Sequence, residues 1–416
     1  MPRASLFPMR SVVLGAFVPT FVFDVGAGAM LPVVAPTAVG LGASLATAGA
    51  VAALLPVGQI VADIPAGAFA ARVGDRRAML VAGVVAAVAF TVAAWAPHLL
   101  AFALATAALG AAAAVFNLAR HSYLTEITPP LQRARVLSTL GGVHRIGQFV
   151  GPFVGALVIH GGDLRGVYLL GTAAALAATL VLAVVREDPT ATGGRPPGRG
   201  GLGEDARPHR TLVGLVREHA PLLRTLGTGV LLVAAVRGAR QTVIPLWGEH
   251  LGLDPAVTSV IFGVAGGVDM LLFYPAGKVM DRLGRLWVGV PAMLVMGVAM
   301  LLLPLTHSAT SLAVVGGLLG LGNGMSSGIL MTLGSDVAPP DDRARFLGLW
   351  RVLQDSGTAA GPLILSAGAA LGSLAAGIWA AAALGPTAAT ALARWVPRWT
   401  VHANRTTRRR AGISPS

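Results

Sequence analysis

Apolar runs of about twenty residues, each closed by a polar or charged cluster, recur along the whole chain. They fall at roughly 11–34, 44–70, 78–96, 99–120, 136–160, 167–185, 223–247, 256–276, 286–305, 309–334, 345–370 and 373–394. A helix rises about 1.5 Å per residue and a bilayer core is about 30 Å thick, so such runs are long enough to cross it. The pattern predicts an all-α membrane protein of twelve spanning helices. Pro and Gly inside the runs do not count against this, because neighbouring helices satisfy the freed backbone groups. The first run follows Arg3 and Arg10, as a secretory leader would. Its length and Asp24 mark it as a spanning helix instead.

One long polar stretch, 186–222, breaks the series. Its Gly-, Pro- and Arg-rich centre at 192–201 has the composition of a flexible linker. It separates a six-helix domain, 1–185, from a second, 223–396, which a basic tail, 397–416, follows.

Composition agrees with the pattern. Of the residues, 55% are hydrophobic and 12% charged, and the mean hydropathy is +0.73. Soluble proteins carry about 25% charged residues, so this chain cannot cover a water-facing surface. The absence of cysteine excludes disulfides and thiolate metal sites. The net charge of +13 would suit nucleic acid, but its placement excludes that reading. With the N-terminus in the cytoplasm, 26 of the 31 basic residues fall on inner segments and one, Arg165, on an outer loop. The other four, Arg145, Arg237, Arg240 and Arg351, lie within spans. This positive-inside bias puts both termini in the cytoplasm. Arginine supplies 30 of the 31 basic residues amid abundant Ala, Gly and Val, which points to a GC-rich bacterial genome and a bacterial cell membrane.

The two halves repeat at an offset of 210 residues. Pro65-Ala66-Gly67 falls on Pro275-Ala276-Gly277, and Arg72 and Gly74 on Arg282 and Gly284. In the same register Pro129-Pro130 falls on Pro339-Pro340, Gly147 on Gly357, and Gly151-Pro152 on Gly361-Pro362. Two parallel halves are related by an axis along the membrane normal.

Gly277, Asp281, Arg282, Gly284 and Arg285 resemble the loop signature that follows the second helix in the major facilitator superfamily. The first half carries a degenerate copy, Gly67, Arg72 and Gly74, with Ala71 where the aspartate is expected. In the fifth run, Gly147, Gly151, Pro152 and Gly155 are similar to the pattern of the antiporter branch, with Ala156 in place of its last glycine. The same residues can equally be read as a smooth packing face, since glycines four apart admit a neighbouring backbone. The resemblance implies twelve helices in two pseudo-symmetric six-helix halves. It also implies a monomeric secondary transporter without cofactor, metal or catalytic residues, whose partners are the bilayer, protons and a small-molecule substrate. An arginine of helix 4 found in many proton-coupled exporters is missing from the uncharged stretch 101–116.

A charge within the bilayer costs at least ~2.5–3.5 kcal/mol, so each should face a partner or a cavity. Depth along the helices puts Arg145 and Asp269 near the midplane, where the resemblance makes them partners. Asp63 and Arg351 lie nearer the cytoplasm and are expected to pair as a gate. Asp355, the repeat counterpart of Arg145, should face only Gln59, and so is one proton-coupling candidate. Asp24 is the other, unless it pairs with Arg237 or Arg240, which also count with Gln59 as cavity candidates. His144, beside Arg145, reads more readily as a packed or hydrogen-bonded histidine than as a coupling group. Glu126 and Asp336 are implied partners of Arg72 and Arg282, forming conformational locks. Trp95, Trp247, Trp287, Trp395 and Trp399 read as interface anchors. Arg408, Arg409 and Arg410 suit anionic lipid.

The expected function is export of a small, lipophilic molecule in exchange for protons. Proton-linked or facilitated uptake is the alternative, followed by a non-transporting receptor or scaffold. No phosphate-binding Gly-rich loop suggests ATP use, and no nucleophile–base or metal cluster suggests an enzyme.

Overall fold

The computed structural model describes residues 12–128, 130–159, 161–184, 212–339 and 342–412. The linker centre lies outside the described residues. Twelve long helices account for most of the rest: α1 (Val13–Gly40), α2 (Leu45–Val73), α3 (Asp75–Ala94), α4 (Leu99–Ile127), α5 (Pro130–Val158) and α6 (Arg165–Val184) precede the linker. After it come α7 (Ala220–His250), α8 (Pro255–Leu283), α9 (Leu286–Leu305), α10 (Ala309–Val337), α11 (Arg343–Ala370) and α12 (Leu374–Trp399). No strand occurs among the described residues. Among the described residues ten helices are long and apolar enough to span a membrane. The other two, α5 and α11, have 29 and 28 residues and are more polar because they carry His144, Arg145, Arg351 and Asp355.

Several helices run past the ends of their apolar runs. The run predicted at 99–120 continues to Ile127, and that predicted at 256–276 continues to Leu283. Intrahelical hydrogen bonding does not stop where hydrocarbon does, so polar residues extend the helix beyond the bilayer core. Arg120, counted from the sequence among the inner-loop residues, is therefore a helix residue, and it is buried.

The chain divides into two units, Met1–Gly42 with Leu54–Asp205 and Ala43–Ala53 with Ala206–Ser416. The first turns of α2 thus group with the second unit. Within the first unit α1 packs on α5 and α6, and α3 on α4 and α6. Within the second, α7 packs on α11 and α12, and α9 on α10 and α12, the same scheme.

The sequence offset of 210 is also the offset of the structure. Leu45 and Val73 bound α2 as Pro255 and Leu283 bound α8, and Leu99 and Ile127 bound α4 as Ala309 and Val337 bound α10. Both α1 and α7 contain a π-helical turn, Val13–Phe17 and Leu223–Gly227. The turns after α2 and α8 hinge on Gly74 and Gly284, at φ +87° and +110°, where a side chain would be strained.

The glycine–proline pattern of α5 is a packing seam against α1. A Cβ on Gly151 would lie 2.5 Å from the Ala29 nitrogen and the Val25 carbonyl oxygen, and one on Gly147 would lie 2.7 Å from Asp24 Cβ. From the other side, Gly28 abuts the Gln148 backbone. The seam recurs between α7 and α11, where Gly361 meets Ala235 and Ala239, and Gly238 meets Thr358. Small residues allow this approach, and dispersion contacts between the backbones hold it. Where the first unit has Asp24 in the seam, the second has Ala234.

Candidate functional site

The α1–α5 seam brings Asp24 to the centre of the first unit. Asp24 is 3% exposed, and its Oδ2 lies 2.8 Å from His144 Nδ1 on α5 and 3.6 Å from Arg120 Nη1 on α4. Arg120 is also 3% exposed, and its guanidinium sits 6.0 Å over the Phe116 ring, which stacks on Phe23 beside Asp24. The His144 side chain, by contrast, is 40% exposed. Two buried groups are therefore joined to a third that is partly exposed.

One expectation changes here. Helix 4 does carry a buried arginine: it is Arg120, about one turn beyond the uncharged stretch 101–116. Within its own unit Asp24 takes Arg120 and His144 as partners. His144 is hydrogen-bonded to the carboxylate, one of the two plainer readings the sequence offered.

In the second unit a polar chain joins α7, α8 and α10. Arg237 Nε donates to Asn323 Oδ1 at 3.0 Å, Asn323 Nδ2 donates to Asp269 Oδ2 at 2.6 Å, and Arg240 Nη2 lies 3.6 Å from the same oxygen. Gly324 positions the acid, since a Cβ there would meet the Asp269 backbone at 2.6 Å. Asn323 is 5% exposed and was not singled out from the sequence. An uncharged amide inside an apolar run was the signal that could have found it. Gln59, the repeat counterpart of Asp269, is half-buried on α2 beside Gly110 of α4. The expected pairings of Asp269 with Arg145 and of Asp63 with Arg351 join residues of different units; each unit by itself shows Asp63 half-buried on α2 and Arg145 half-buried on α5.

Asp355 does not face an amide alone. Arg351 Nε lies 3.5 Å from its Oδ2, one helical turn away. Residues four apart share a helix face, so the pair follows from local spacing. That corrects the reading of Asp355 as an acid without a cation beside it.

The loop signature of the second unit forms a lock with a different arginine from the one expected. Arg285 Nε and Nη2 donate to Asp336 Oδ2 and Oδ1 at 3.0 and 3.3 Å, a two-pronged pair, and Arg285 Nη1 lies 3.4 Å from Asp281 Oδ1. Arg282 is exposed. The positive φ of Gly284 turns the chain away from the α8 axis, so Arg285 points back toward α10 while Arg282 stays on the outer face of α8. Gly277 sits one and a half turns earlier, with open space around it. In the first unit Gly67 is likewise open, Arg72 and Glu126 are both exposed, and no ion pair joins them among the described residues. Arg76 instead caps the end of α6, donating to the Leu182 carbonyl from Nε and Nη2 at 3.1 and 2.6 Å. Asp75 occupies the repeat position of Arg285, so the degenerate signature has lost its lock arginine as well as its aspartate.

The tryptophans divide. Trp95, Trp287 and Trp399 are exposed near helix ends, as interface anchors should be. Trp247 is buried and donates to Thr306 Oγ1 at 2.9 Å.

Among the described residues no group of His, Asp and Glu could hold a metal ion. Residues 16–362 match the family model described as Major Facilitator Superfamily. Two uncharacterized MFS-type transporters from strains of Mycobacterium tuberculosis are 30% identical over 162 residues, which cover 36% of this chain and 23% of theirs. The matched part is thus less than a quarter of those relatives' length. Solved structures with the same fold include the nucleoside transporter NupG, with TM-score 0.73 at 13% identity over 91% of this chain and 98% of that one. The xylose transporter XylE from E. coli gives TM-score 0.70 at 16% identity over 94% and 96%. Likeness at such identities speaks for the fold alone.

Proposed function

Because the chain belongs to the major facilitator superfamily, we propose that it is a secondary transporter that exports a small, lipophilic organic molecule in exchange for protons. Asp24 is the residue that takes up and releases the proton. The observation that carries this reading is the buried Asp24–Arg120 pair with a partly exposed histidine bonded to it.

The chemistry follows from the geometry. A proton entering through the imidazole of His144 passes from Nδ1 to the Asp24 carboxylate. Neutral Asp24 no longer compensates Arg120, and an uncompensated buried charge costs about 3–5 kcal/mol. The two protonation states of the unit therefore favour different surroundings, which is what coupling to alternating access requires. Each proton moving inward supplies roughly 2.3 kcal/mol per 100 mV of potential and about 1.4 kcal/mol per pH unit. The largely Ala, Val and Leu composition of the helices favours lipophilic over sugar-like cargo. The arginine distribution supports a bacterial cell membrane with both termini in the cytoplasm. The direction of transport rests on the likeness of Gly147, Gly151, Pro152 and Gly155 to the antiporter pattern.

The test is a fluorescent pH probe in inverted membrane vesicles, with lipophilic cations, antibiotics and sugars added in turn. Proton release on adding a lipophilic compound, absent with Asp24→Asn, is the expected result. Release that persists undiminished in Asp24→Asn would remove Asp24 from the mechanism. Release triggered by none of the compounds, with the protein folded and inserted, would remove the exchange reading.

A further inference from the structure

The segment after α12 does not trail away from the bundle. Thr400 Oγ1 donates to Asp336 Oδ2 at 3.2 Å, the same oxygen that accepts from Arg285. The backbone nitrogens of Arg285 and Leu286 donate to the carbonyls of His402 and Ala403 at 3.1 and 3.0 Å. The α-hydrogen side of Gly284 rests against Ala403 and Asn404, closely enough that a Cβ would lie 2.6 Å from the Ala403 oxygen. A short helix, Arg405–Arg410, follows, capped reciprocally by Asn404 and Thr407. From it Arg408 Nη1 reaches back to the carbonyls of Asp281 and Arg282 at 2.6 and 3.2 Å.

These contacts tie together the end of α8, the start of α9 and the end of α10. Arg408 satisfies carbonyls at the α8 C-terminus that have no intrahelical partner, and its charge complements that end of the helix dipole. It is therefore committed to the protein, contrary to the sequence expectation that all three terminal arginines suit lipid. Arg405, Arg409 and Arg410 remain exposed on the same short helix. The preceding end of α12 carries Arg394 and Arg398, each over the Trp395 ring, at 5.2 and 4.7 Å. Aromatic rings flanked by arginines mark the headgroup level of a membrane.

We propose that Thr400–Arg410 is a strap across the Arg285–Asp336 lock, and that anionic phospholipid holds the strap down through Arg405, Arg409 and Arg410. Any movement that parts the α8–α9 turn from α10 must break the strap's bonds as well as the ion pair. Anionic headgroups attract the three free arginines, so the lock tightens as the membrane surface becomes more negative. The proposal is independent of cargo and of transport direction.

Hydrogen–deuterium exchange of the full chain in lipid nanodiscs tests it. Discs of phosphatidylcholine alone are compared with discs that also contain phosphatidylglycerol. Phosphatidylglycerol should slow exchange at the Arg285 and Leu286 amides, by roughly fivefold for each arginine engaged. The triple substitution Arg405→Gln, Arg409→Gln, Arg410→Gln changes exposed positions only. It should abolish the lipid effect and keep the protection seen in phosphatidylcholine. Arg408→Gln should speed exchange in both lipids. Equal exchange in the two discs, a lipid effect that survives the triple substitution, or unchanged exchange in Arg408→Gln would each overturn the proposal. Equal slowing by soluble glycerol phosphate in phosphatidylcholine discs would overturn the lipid assignment in favour of simple anion binding.

Discussion

Asp24 on α1 and Arg120 on α4 form an ion pair of 3.6 Å with both side chains 4% exposed, 96 positions apart in the sequence. At that distance the charges attract without an ideal hydrogen bond, and Arg120 Nε makes none. Such a pair is easily separated by a proton yet costly to leave half-made.

Removing either partner should therefore be worse than removing both. Asp24→Ala or Arg120→Ala alone is expected to lower stability by about 3–5 kcal/mol, and Asp24→Ala with Arg120→Met by clearly less than the sum. Thermal unfolding of purified variants in detergent measures this. Additive losses would show that the two side chains do not interact.

The α1–α5 seam predicts a graded response to added methyl groups. Gly151→Ala places a Cβ 2.5 Å from two backbone atoms of α1 and should cost about 1–3 kcal/mol, because backbone cannot step aside. Gly155→Ala meets the Ala29 Cβ at 3.2 Å and should cost less. Melting temperatures compared side by side decide it, and the reverse order would mean the seam is looser than described.

The lock separates the two arginines of the loop signature, Arg282 and Arg285. Arg285→Ala leaves Asp336 without its two-pronged partner and should destabilise by about 3–5 kcal/mol. Arg282→Ala, at an exposed position, should stay within about 0.5 kcal/mol of the parent. Denaturation of the two variants is the check, and equal losses would return the lock to Arg282.

Asn323 joins Arg237 to Asp269, so Asn323→Leu should cost about 1–3 kcal/mol by leaving buried polar groups unsatisfied. Asn323→Ser, which keeps a donor and an acceptor, should lose less. A Leu variant as stable as the parent would show that the chain of bonds contributes nothing.

Hydropathy went far toward finding the helices, because the bilayer demands some twenty apolar residues from a span, though α5 and α11 are the more polar exceptions. The repeat went further: Leu45 with Pro255, and Leu99 with Ala309, begin helices at one common offset. What hydropathy could not deliver was the extent of helix beyond the hydrocarbon, and so Arg120 was assigned to a loop. It also could not tell Arg282 from Arg285, since the choice depends on one backbone dihedral at Gly284. The Arg351–Asp355 contact was legible in its four-residue spacing. Asp24 was legible as a buried acid, but its partners come from α4 and α5, and only tertiary packing selects them.

The seam between α1 and α5 fixes backbone against backbone around Asp24, leaving no slack for either helix to slide. The moving parts at this point are consequently the carboxylate and the imidazole themselves, which turn about their own bonds. Rotations of exposed side chains take picoseconds to nanoseconds, whereas rearrangements of whole helix bundles take microseconds or longer. Under the proposed coupling, protonation of the first unit is thus set by small side-chain turns within a fixed backbone frame rather than by any movement of the frame itself.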